Sequence, residues 1–267
     1  MLSKLMKYEL KATGRIFLPL FLAALAFALI ARLTHAFSAG QQWGTPAVIS
    51  MVMYISVMVG MFVMTLIMTI QRFYKNLLSE EGYLMFTLPV KPWQHIVSKM
   101  LISMFWVVLS IVIAMISIVM IGYRAGDWGR FIGELGPSIQ EVSDFLGASI
   151  YLYSFEAILG IIFSLASAIL ILYASIAIGS LFNQHRVLAS FAAFIGLNTL
   201  TQIITMVITT ILGYNYDHNF VINSANFHSM ETQIHFFIVF TLIISALITT
   251  TYFFITERIL SKRLNLE

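Results

Sequence analysis

Six apolar runs, each long enough to cross a bilayer, leave this 267-residue chain few folds to choose from. They fall at about 16–33, 47–70, 100–123, 157–182, 187–212 and 235–256. A helix needs about 20 apolar residues to cross the ~30 Å hydrocarbon layer, where water cannot satisfy its backbone. The expected fold is therefore an all-α polytopic membrane protein with six transmembrane helices. Only 10% of the residues are charged, against roughly a quarter in a soluble domain. The chain has no cysteine, which removes disulfides, thiolate metal ligands and a thiol nucleophile.

Six spans put both termini on one side, and the basic residues sort themselves accordingly. Twelve lie on that side: Lys4, Lys7, Lys11, Arg15, Arg72, Lys75, Lys91, Lys99, Arg186, Arg258, Lys262 and Arg263. Arg32, Arg124 and Arg130 lie on the other. Cytoplasmic loops collect lysine and arginine. Both termini and the 71–99 stretch are thus expected in the cytoplasm of a multi-pass protein of the bacterial plasma membrane, in contact with lipid on most faces.

Residues 1–15 read as a cytoplasmic, interfacial amphipathic helix. Lys4, Lys7, Lys11 and Arg15 fall on one arc, and Leu2, Leu5, Met6 and Leu10 on the other. The plainer alternative is a basic leader that orients the first span. The first span is longer than a signal-peptide core and is read as retained. The six-span domain then occupies 16–267. Its outer loop 124–148 carries Ile139, Val142, Phe145 and Leu146 on one helical face, which suggests a surface helix.

The cytoplasmic stretch 71–99 is the longest polar interruption with basic residues at both ends. Gly82, Pro89 and Pro92 stop a single continuous helix. Ser79 can cap a short one, with Glu80 and Glu81 suited to the positive end of its dipole. Tyr83, Leu84, Phe86 and Leu88 then form a compact apolar surface that only membrane or a partner could cover. Pro92 is placed to open the next helix.

Catalysis finds no foothold: there is no phosphate loop, HExxH or GxSxG, and the six histidines are scattered over loops and span ends. No metal site, nucleic-acid surface or resident cofactor is expected. Polar stripes do occur inside spans. Asn198, Gln202, Thr205 and Thr209 share a face of the fifth; Thr241, Ser245 and Thr249 share one of the sixth. Such groups either line a translocation path or hydrogen-bond helix to helix. Gly160, Ser164, Ala168, Ser175 and Gly179 give the fourth span a small-residue face suited to close packing. Glu156 is the one acid that could lie within a span. Counting back from Phe182 places it near the outer headgroups, an interfacial position rather than an ion-coupling one.

At residues 80–101, EEGYLMFTLPVKPWQHIVSKML, the chain resembles the ABC-2-type permeases, the membrane subunits of bacterial ABC exporters. The matching positions are Glu80, Glu81, Gly82, Leu84, Leu88, Pro89, Val90 and Lys99. The six-span layout and amphipathic leader are similar too. The resemblance implies a cytoplasmic coupling helix, Glu80 to Leu88, seated in a separate ABC ATPase subunit that binds the ATP and Mg. Its contact residues would include Tyr83, Phe86 and Pro89. It also implies a second permease half, either another copy or a related chain. Asn198, Gln202, Thr205, Thr241 and Ser245 would be candidates for the path. The expected function is export of an amphipathic or hydrophobic substrate, such as an antimicrobial peptide, lipid or drug, by ATP-driven alternating access. An ion-coupled secondary carrier and a non-transporting scaffold or sensor subunit remain the rivals.

Overall fold

The computed structural model describes residues 2–37, 44–78, 90–122, 127–182, 184–213 and 227–262. These form seven α-helices and one short 3-10 turn, with no strand among the described residues. The helices are α1 (Leu2–Phe37), α2 (Thr45–Leu77), α3 (Pro92–Gly122), α4 (Asp127–Leu146), α5 (Ile150–Gly179), α6 (Arg186–Gly213) and α7 (Phe227–Lys262). All but α4 contain a segment long and apolar enough to cross a membrane, so the chain has the helices of a six-span membrane protein. Residues 79–89, which hold the expected coupling helix from Glu80 to Leu88 and the contact residue Pro89, lie outside the described residues.

Residues 1–15 are not set apart from the first span. One helix of 36 residues runs from Leu2 through Pro19 to Phe37, about 54 Å long against a ~30 Å hydrocarbon layer. The lysines of the leader are exposed, whereas Met6 packs against the core. The amphipathic arc therefore belongs to the first turns of a long helix, and the expected boundary at residue 15 falls within it.

The chain divides into two compact units, 1–76 with 84–135 and 77–83 with 136–267. The first unit is built on α1, α2 and α3. Phe17, Phe21 and Ala24 of α1 meet Met61 and Met68 of α2 and Ile102, Trp106 and Ala114 of α3. The Trp106 ring stacks on Phe17 at 4.5 Å between centroids. Polar pins cross the same interfaces: Tyr54 to Ser117 at 2.8 Å and Thr65 to Ser110 at 3.1 Å join α2 to α3. Thr34 to Ser50 at 2.6 Å joins α1 to α2. In hydrocarbon such pins hold helices that have no hydrophobic drive to associate, at about 0.6 to 2 kcal/mol each.

In the second unit α5 packs on both α6 and α7. The expected small-residue face is only partly the packed one. Ser175 and Gly179 are buried, but Ser164 and Ala168 are exposed. The buried stripe is Ala166, Ile169, Leu170, Tyr173, Ala174 and Ala177, rotated around the helix from the expected face and mixing alanines with larger side chains. At the α5–α6 turn the chains touch: a Cβ on Gly179 would lie 2.6 Å from the Ser190 backbone nitrogen. His185 enters α6 in the left-handed region, φ 58°. Helix α4 leaves Ile139, Val142 and Phe145 exposed along with Glu134, Glu141 and Asp144, the amphipathic helix foreseen for the 124–148 loop.

A buried polar junction beside residues 79–89

Helix α2 ends and α3 begins on either side of 79–89, and antiparallel packing brings the start of α1 to the same end of the first unit. Asn76, Lys99 and Glu9 meet there. Glu9 Oε1 accepts from Lys99 Nζ and, at 3.4 Å, from Asn76 Nδ2. The Lys99 side chain is 2% exposed and that of Glu9 11%. Charges so buried persist only when paired and hydrogen-bonded, because desolvation costs several kcal/mol per ion.

The junction continues one turn inward. The Thr13 hydroxyl donates to the Glu9 carbonyl at 2.7 Å and accepts Trp106 Nε1 at 2.7 Å. His95 and Ser98, on the same opening turns of α3, are buried with Lys99. Glu9, Thr13, Arg72, Lys99, Ser103 and Trp106 line a cavity of about 20 Å³. That is room for one water and not for a substrate. Sequence reasoning placed Lys99 at the start of the third span but missed Glu9. An acid in an otherwise basic leader was the one available signal.

The second unit holds a comparable pair built on Glu156, the acid whose expected position is interfacial. Glu156 is 5% exposed, and both of its carboxylate oxygens stand 3.1 Å from His235 Nδ1 on α7. The imidazole stacks on Tyr153 at 4.1 Å, with Glu231 Oε1 3.8 Å from its other nitrogen. Ser149 donates to Glu231. The position count along the span was blind to His235 and so to the burial. His95 is thus buried and His235 packs on Glu156 and Tyr153, although the sequence shows only that both stand at span ends.

The five path candidates divide. Asn198 and Gln202 come together, Gln202 Nε2 donating to Asn198 Oδ1 at 3.3 Å. Thr241 is exposed, and its hydroxyl bonds back to the Phe237 carbonyl at 2.9 Å. Ser245 is half-buried, its carbonyl taking the Thr249 hydroxyl at 2.7 Å. Thr205 is half-buried on α6. Thr241, Thr249, Thr250, Thr251 and Thr256 of α7 each bond back to a carbonyl of their own helix and need no path to explain them. Among the described residues no group of three His, Asp or Glu is placed to hold a metal ion.

Comparison with known proteins finds no match, whether to family models, curated proteins or solved structures.

Proposed function

We propose that the chain is the membrane subunit of an ATP-driven exporter of the ABC-2 type, moving an amphipathic or hydrophobic substrate outward across the bacterial plasma membrane. The observation that carries the reading is the Glu9–Lys99–Asn76 junction. It fastens α1, α2 and α3 together at the end where α2 and α3 flank 79–89. A force applied to that segment therefore reaches three helices as one body. Such a mount suits a coupling element, and the apolar set Tyr83, Leu84, Phe86 and Leu88 suits the groove of a partner ATPase. ATP and Mg belong to that partner. The distribution of basic residues favours cytoplasmic termini and places the segment where an ATPase could reach it. Closure of the ATPase dimer would tilt the fastened helices and open the cavity outward.

The test is vanadate-sensitive ATP hydrolysis by the full chain purified in mild detergent from its native membranes. Wild type should bring hydrolysis with it, and Phe86→Asp should lose most of it while remaining inserted. Equal activity in both, or none in either, counts decisively against the proposal. One observation favours the ion-coupled carrier: Glu156, an acid buried against His235 within a span. Substrate movement driven by an ion gradient without ATP would select that reading.

A further inference from the structure

One imidazole of the second unit is held between two carboxylates. His235 Nδ1 stands 3.1 Å from both oxygens of Glu156, and Nε2 stands 3.8 Å from Glu231 Oε1. That Glu231 oxygen also accepts from Ser149, in the short 3-10 turn Gly147–Ser149 that leads into α5. Among the described residues, the titratable groups against the ring are Glu156 and Tyr153 from α5 and Glu231 from its own helix. Helix α6, which also packs on α5, carries Arg186 as its one titratable residue, at the opposite end.

The two ring nitrogens are not equally provided for. A carboxylate only accepts, so Nδ1 carries the hydrogen that Glu156 takes. A neutral imidazole has one N–H, which leaves Nε2 a bare lone pair facing the negative Glu231 oxygen. That nitrogen is sealed from solvent and makes no hydrogen bond among the described residues. A proton added there makes it a donor, and a small approach of Glu231 then turns 3.8 Å into a charge-assisted bond. The stack on Tyr153, 4.1 Å between centroids and 23° between planes, also favours a cationic ring over a neutral one. Glu231, with its side chain 25% exposed, gives the proton its way in.

We infer that Glu156, His235 and Glu231 form a proton-binding site that ties α5 to the start of α7. With the ring neutral, Glu156 receives one ordinary hydrogen bond. With the ring protonated, that bond becomes an ion pair, and the second N–H fixes Glu231, which carries the Ser149 contact to the turn before α5. In the orientation that the basic residues favour, both helices begin at the outer face, and acidification there tightens the tie. The inference asks nothing of the proposed function. No ATPase enters its test, so its failure and that of the exporter reading are distinguishable.

The full chain in mild detergent is unfolded with SDS and followed by helical circular dichroism. The titration is run at about pH 5.5 and about pH 8.5, either side of histidine's ordinary value near 6.5 and above glutamate's near 4.3. Only the folded chain assembles the site, so its proton stabilises on the acid side and that gain is lost on the alkaline side. His235→Gln keeps a donor for Glu156, and Glu231→Gln keeps an acceptor for Ser149. From the higher to the lower pH, wild type should gain about tenfold in folding constant relative to each of these variants. His35→Gln, at an exposed position in the first unit, should follow wild type. No difference between wild type and the two site variants overturns the inference. A difference for only one of them does so too, since the tie needs both groups, and so does a His35→Gln that behaves like the site variants.

Discussion

Each unit hides one carboxylate between two long helices, and the two solve the problem differently. Glu9 is met by Lys99, a fixed cation, and by Asn76 from a third helix. Glu156 is met by His235, whose charge is conditional, with Glu231 beyond it. The first arrangement ties three helices at the end next to 79–89; the second ties α5 to α7 near their starts. Removing the lysine leaves Glu9 only the neutral Asn76 amide, at 3.4 Å, with no charge to offset its own. A histidine partner can serve as a neutral hydrogen-bond donor, so less depends on the ion pair itself.

The sharpest way to break this contrast is to remove each partner. Lys99→Met leaves the Glu9 charge without a cation, with Asn76 as its remaining donor, and should cost about 3–5 kcal/mol in an SDS-unfolding titration followed by helical circular dichroism. Adding Glu9→Gln should recover most of it, since an apolar or neutral replacement of a buried pair is often tolerated. His235→Leu should cost less, about 1.5–3 kcal/mol, the worth of a hydrogen bond to a charged group. Equal losses for the two would erase the distinction. Gly179→Ala tests the packing that surrounds the second pair's helix: its new methyl group meets the backbone of Ser190 and should cost about 1–3 kcal/mol. Trp106→Phe keeps the ring stack with Phe17 but loses the bond to Thr13, and about 1 kcal/mol is expected.

The six spans were readable because apolar length is a local signal, and so was α4, because its apolar face repeats at helical spacing. The junctions were not, because their members are far apart in sequence. Glu9 and Lys99 are separated by 90 positions, and Glu156 and His235 by 79. Helical wheels see one element at a time. They placed Asn198 and Gln202 on one face but could not show the hydrogen bond that joins them. The leader misled for a related reason. Its amphipathic arc is real, yet nothing between Leu10 and Leu18 breaks a helix strongly enough to end it, and packing of Met6 and Glu9 against the core carries α1 straight through. The coupling helix rests on the 80–101 motif, and residues 79–89 lie outside those described.

The contact between Gly179 and Ser190 has a mechanical corollary. With backbone against backbone at the α5–α6 turn, neither helix can slide along the other there, and the pair can only swing about that point as a hinge. Amplitude then grows with distance from the pivot. From Ser190 to the end of α6 at Gly213, about 34 Å, a swing of about 5° displaces the far tip by about 3 Å. Whatever this unit does when it moves, the largest excursions belong to the end opposite that turn.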